Sequence, residues 1–148
     1  MSIAAIGALS AIAAALSTTV VFTVVGDGIP EPLTTVKGDA AAGRAVVVDR
    51  QQGLCLLCHG GPFDRTEAER AQGNLSTSLY GVGNRYTTAQ LRLRVADAKH
   101  LNPAGLMPAF HRLPGDAQAQ RVGATWTGKP MLDAQQVEDV VAFLETLK

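Results

Sequence analysis

The five residues Cys55-Leu56-Leu57-Cys58-His59 constrain this chain more than any other part of it. Two thiols held two residues apart can add across the two vinyl groups of one haem, and the adjacent imidazole is then placed to reach the iron. A chain wrapped around such a group needs fewer large core fillers of its own, and aromatic residues make up only 5% of the 148 residues here. The other chemistries open to a Cys-x-x-Cys pair ask for more than the sequence supplies. A thioredoxin-like dithiol belongs beside a βαβ pattern, which is absent. A zinc site needs further Cys ligands, and the chain has 2 Cys in all. With both consumed by thioether bonds, no disulfide remains. The residues point to one covalent haem c anchored by Cys55 and Cys58, with His59 as an iron ligand.

A second axial ligand must come from elsewhere, and the candidates are Met107, Met131, His100 and His111. Met107 leads. It lies in the apolar loop Leu106-Met107-Pro108-Ala109-Phe110, where the proline restricts the backbone and helps present the thioether. A thioether ligand would raise the potential of the iron. Met131 sits close to the start of the final helix, and the two histidines, flanked by polar or basic residues, are expected to face solvent.

The rest of the chain reads as one all-α domain with an apolar leader. From Met1 to Gly26 no side chain is charged, and the first basic residue is Lys37. Residues 1–26 are therefore expected to be a cleaved secretory signal or a retained membrane anchor, since a run of this length can span a bilayer as a helix of roughly 20 residues. Either reading places the remainder outside the cytoplasm, in the periplasm. Pro30 and Pro32 prevent helix continuation, so residues 27–38 read as a linker or extended arm ahead of a domain over 39–148. Helices are predicted over 39–52, 88–99 and 133–148, with a long polar loop between Gly60 and about Gly83. The last is the clearest. Asp133 can cap it with Gln136 three residues on, and Val137, Val140, Val141, Leu144 and Leu147 form one apolar stripe. Lys+Arg and Asp+Glu number 13 each and are scattered, so nucleic acid is not an expected partner.

From about Asp39 to the C-terminus the chain resembles the SoxX family, the mono-haem cytochromes of the SoxAX complex of thiosulfate oxidation. The resemblance rests on four stretches. They are the haem motif; Leu79-Tyr-Gly-Val-Gly-Asn-Arg-Tyr86 with Thr88-Ala-Gln-Leu-Arg92; Met107-Pro-Ala-Phe110; and Gly128-Lys-Pro-Met-Leu132 running into Ala134-Gln-Gln-Val-Glu-Asp-Val-Val-Ala-Phe-Leu144. It implies a class I cytochrome c fold with first and last helices crossing, and His59 and Met107 as the axial pair. It also implies a relay with no catalytic residue of its own. In the family a SoxA subunit carries the site at which thiosulfate is joined to a cysteine of the SoxYZ carrier, and SoxX passes the released electrons to a downstream cytochrome c. This chain would then be the electron-transfer subunit of an L-cysteine S-thiosulfotransferase. The rim around Leu56, Leu57, Pro62 and Phe110 would dock the SoxA-like partner. One departure bears on the site. Ser76-Thr77-Ser78-Leu79 replaces the family's Gly-Pro-Asp-Leu, whose proline carbonyl accepts a hydrogen bond from the proximal imidazole in related cytochromes, so Thr77 is expected to offer that carbonyl from a looser loop. A generic cytochrome c serving another oxidoreductase would share the same iron site, and a five-coordinate gas or peroxide binder would use Met107 only as packing.

Overall fold

A computed structural model describes residues 19–67, 70, 72–113 and 128–148. The helices are α1 (Ala40–Val48), α2 (Cys55–Cys58), α3 (Val82–Arg85), α4 (Thr88–Ala96), α5 (Ala98–Leu101) and α6 (Ala134–Thr146). Among the described residues there is no β-strand, only two isolated bridges, Val25 with Gly28 and His59 with Asn74. The all-α reading holds, with long loops between short helices.

The frame is the crossing of α1 and α6. Their backbones touch: a Cβ at Gly43 would lie 1.9 Å from the Asp139 carbonyl oxygen, and one at Gly38 2.2 Å from that of Glu138. Only glycine lets the two helices approach so closely. Below the crossing, Val46 and Val47 of α1 meet Val137, Val140, Val141 and Leu144 of α6, with Leu91, Leu93 and Val95 of α4 completing the core. Asp133 caps α6 in a full capping box with Gln136, and Thr87 does the same for α4 with Gln90.

Three helix limits differ from the expectation, each for a local reason. α1 stops at Val48 because the Asp49 carboxylate takes the Gln51 and Gln52 N–H groups, offering the backbone a turn in place of further helix. The stretch 88–99 breaks at Asp97, whose buried carboxylate pairs with Arg112 instead of facing solvent. The polar loop ends early, in the single turn of α3.

The segment 27–38 is no free linker. Its prolines keep it extended, but Ile29 and Leu33 are buried in the core. Burial of a side chain of this size contributes about 1.5–3 kcal/mol. Polar contacts hold the arm as well. Ile29 N–H donates to the Ala89 carbonyl at 2.9 Å, Leu33 N–H to Glu138 Oε1 at 2.8 Å, and Arg92 Nη1 to the Ile29 carbonyl at 2.7 Å. Arg92 and Glu138 themselves form a buried two-pronged ion pair at 2.7 and 3.0 Å. The arm thus packs across the side of α4 and α6.

Of the apolar leader 1–26, residues 1–18 lie outside the described residues. No helix among the described residues is long and apolar enough to cross a membrane.

Candidate haem-binding site

The haem motif is a single helical turn built on α1. Gly53 lies against the Val46 carbonyl, and Leu54 then takes φ +56°, an uncommon conformation for a branched side chain, to turn the chain into α2. A four-residue helix leaves most of its carbonyls without intrahelical partners, and here only that of Cys55 has one, the His59 N–H at 2.9 Å. The loop after the helix supplies the others. Gly73 N–H donates to the Leu57 carbonyl at 3.2 Å, Leu75 and Ser76 N–H to that of Cys58 at 3.2 and 3.0 Å, and Leu79 N–H to that of Gly60 at 2.7 Å. Arg65 donates through Nη2 to the carbonyls of Leu56 at 3.1 Å and His59 at 2.7 Å, and through Nη1 to that of Gln72 at 2.8 Å.

The same loop orients the histidine. His59 Nδ1 lies 2.6 Å from the Thr77 carbonyl oxygen. A carbonyl only accepts, so Nδ1 carries the proton and the Nε2 lone pair is left for a metal. The carbonyl expected from Thr77 is therefore in place without the proline.

His59 opens on a cleft that Cys55, Thr77, Leu79, Phe110, Leu132 and Met107 help to line. Its walls are apolar, and polar groups collect at the edge. There Arg94 stacks 4.0 Å above the Tyr86 ring and meets Asp27 at 3.4 Å. A flat apolar macrocycle with carboxylate substituents and an iron needs this chemistry: hydrophobic faces, a nitrogen donor, a thioether and a cation at the rim. The residues present fit it.

The Cys55 thiol donates to the Gly53 carbonyl at 3.4 Å, and its loss of hydration among apolar neighbours pushes its pKa up to about 11. Both cysteines are free of disulfide bonding, and among the described residues no group of three His, Cys, Asp or Glu could hold a metal ion. Cys58 is partly exposed on the same turn as Cys55.

Of the four candidates for a second ligand, Met107 alone shares the cleft with His59. Met131 is buried in the core away from it, and His100 is exposed. His111 is not solvent-facing, as its polar neighbours suggested. It is 1% exposed, accepting from Val20 N–H at Nε2 (2.9 Å) and donating from Nδ1 to the Leu132 carbonyl (3.0 Å), so both ring nitrogens are engaged. Phe110 also departs from expectation. It is buried as a wall of the cleft and takes no part in an exposed rim, whereas Leu57 and Pro62 are exposed and Leu56 is half-buried.

Sequence reasoning missed the buried Arg92–Glu138 pair, because a charged residue beside an apolar stripe ordinarily marks the edge of a helix face. It also missed Arg65, one basic residue in a polar loop with no pattern around it.

Comparisons with known proteins place the chain. Residues 40–148 match the profile of the family described as cytochrome c. No curated protein matches. Among solved structures, a chain in the crystal structure of SoxXA from P. pantotrophus is 33% identical, with a TM-score of 0.70 over 86% of this chain and 94% of that one. The family implies covalently bound haem c and the class I fold described above. With most of its length matched and its helices, loops and cleft arranged around the Cys-x-x-Cys-His turn, the chain belongs to the cytochrome c family, of which it is a SoxX-like member.

Proposed function

We propose that this chain is an exported mono-haem electron relay that works beside a SoxA-like cytochrome in thiosulfate oxidation. Cys55 and Cys58 would hold one haem through thioether bonds, and His59 and Met107 would supply the nitrogen and thioether ligands of its iron. The observation that carries the relay is the pairing of His59 and Met107 in one apolar cleft, with the His59 ring proton already committed to Thr77. Likeness to the SoxXA chain over nearly the whole of both sequences supports the partner.

The bound haem supplies a one-electron centre. The protein's part is to keep that centre closed and its surroundings fixed. His59 cannot rotate without giving up the Thr77 carbonyl. Met107, on the same cleft, would supply a thioether to the iron and so leave it no position for a substrate. The walls formed by Leu79, Phe110 and Leu132 exclude water, so charge is resolvated little as the oxidation state changes. Bond-making and bond-breaking on sulfur belong to the partner subunit, where thiosulfate is coupled to the cysteine of the SoxYZ carrier. Electrons reach this chain and leave it for a downstream cytochrome c. The apolar leader directs export and is either retained as an anchor or cut ahead of Val20, whose N–H is held by buried His111.

The test is reconstitution. The holoprotein mixed with a SoxA-like cytochrome should form a stable complex, and thiosulfate added with SoxYZ should reduce its haem. A chain that stays monomeric beside that partner and remains oxidised would instead be a generic carrier for another oxidoreductase.

A further inference from the structure

Arg65 joins the two halves of the site. On one side its Nη2 donates to the carbonyls of Leu56 and His59, both on the haem-binding turn. On the other its Nη1 donates to the Gln72 carbonyl, at the root of the loop that carries Thr77. Gly73, next along that loop, has φ +80°, and a Cβ built there would lie 2.7 Å from both Arg65 Nη2 and the His59 carbonyl oxygen. The loop therefore lies directly against the guanidinium and the motif, an approach only glycine permits. Four residues beyond Gly73 lies Thr77, whose carbonyl takes the His59 ring proton.

We propose that Arg65 is a positioning residue for electron transfer: by clamping the 72–77 loop to the haem-binding turn, it holds the Thr77 carbonyl on His59 Nδ1 and so sets the donor strength of Nε2. The inference rests on His59 being an iron ligand. A hydrogen bond from Nδ1 to a carbonyl makes the imidazole more basic, which favours ferric over ferrous iron and lowers the potential. A positive charge near the iron does the reverse, because it opposes the extra charge of the ferric state. The two possible roles of an arginine here have opposite signs and can be separated. Lysine keeps the charge but offers one rotating ammonium in place of a planar fork, so it cannot bridge the same three carbonyls.

In the intact holoprotein, Arg65→Lys should raise the midpoint potential and speed exchange of the His59 Nδ1 proton with solvent, with the His59 and Met107 ligands retained in the spectrum. Gly73→Ala, which keeps Arg65 but pushes a methyl group into its contact, should shift both readouts the same way. It also guards against a lysine variant that fails to fold. An unchanged potential and proton exchange in Arg65→Lys, together with a lowered potential in Arg65→Gln, would mean that Arg65 acts only as a charge, and would overturn the proposal. A wild-type protein that releases its haem on denaturation, or a low-spin spectrum that survives His59→Ala, would remove the parent reading and the inference together. A wild-type protein with covalent, His59-dependent haem and an unmoved Arg65→Lys would remove the inference alone.

Discussion

The crossing of α1 and α6 and the loop from His59 to Leu79 both border the cleft, the first through Val47, Val140 and Leu144 and the second through Thr77 and Leu79, and they are held by different physics. The crossing is fixed by burial. Val137, Val140 and Val141 of α6 are almost fully buried, and its backbone touches Gly38 and Gly43. The part of the loop that carries Thr77 buries none of itself: residues 74–78 are all exposed. It is fixed by hydrogen bonds to the carbonyls of the haem-binding turn and by one arginine. Burial is spread over many contacts and tolerates the loss of one. The loop depends on a few directional bonds, each of which bears on the orientation of His59. Damage to the frame should therefore appear as lost stability, and damage to the site as a changed iron environment in a protein that still folds.

The largest effect is expected in the frame, at Glu138→Ala. This leaves Arg92 charged and buried without its partner and removes the acceptor of Leu33 N–H. Breaking a buried pair from one side costs about 3–5 kcal/mol. Chemical denaturation of the holoprotein should show a loss of that order, while the absorption spectrum of the folded fraction stays that of the wild type. A spectrum that changes in step with stability would mean that frame and site are not separable as described.

Met107→Ala is the opposite case. The side chain is only half-buried, so the cost in stability should fall below the roughly 2–5 kcal/mol typical of a core methionine. The change should appear in the iron environment, with the sixth position open to exogenous ligands, a lower potential and the covalent haem retained. If instead Met131→Ala or His111→Ala produces those changes and Met107→Ala does not, the second ligand has been misassigned.

The same contrast explains what could be read from the sequence. The frame follows from patterns that repeat. The Asp133–Gln136 cap and the valine-leucine stripe placed α6 to within two residues at its C-terminus, because capping and 3.6-residue spacing are local properties. Cys55, Cys58 and His59 were legible because their chemistry requires adjacency in sequence. Met107 could be nominated from its proline and apolar neighbours, and the structure places it among the residues lining the cleft. What was not legible depends on partners far away along the chain. His111 has polar neighbours in sequence, yet it is buried because Val20 and Leu132 satisfy its two nitrogens. Ile29 and Leu33 lie in a proline-rich stretch that reads as a linker, and only the carbonyl of Ala89 and the carboxylate of Glu138 reveal it as part of the core. Arg65 finds its three acceptors in a loop whose conformation no periodicity encodes.

The smallest expected effect lies where the arm meets the rim of the cleft, and it tests whether the arm belongs with the frame or with the site. Asp27, at the turn between Val25 and Gly28, accepts from Gln90 Nε2 at 2.9 and 3.1 Å and pairs with Arg94, which stacks on Tyr86. The hydrogen bond from Gln90, and after it the contact with Arg94, lowers the Asp27 pKa below its ordinary 3.8. A carboxylate with a depressed pKa in the folded state contributes stability that is fully present well above 3.8 and is lost as pH falls through the lowered folded value. Asp27→Asn should therefore melt slightly below the wild type at neutral pH, with the difference vanishing once both carry a neutral side chain in acid. The carboxylate is exposed, so salt should shrink the difference as well. If Asp27 serves only to anchor the arm, the potential of the variant should match the wild type at every pH. A potential that shifts with Asp27→Asn would show that Arg94, released from its partner, acts on the cleft, and would move the arm from the frame to the site.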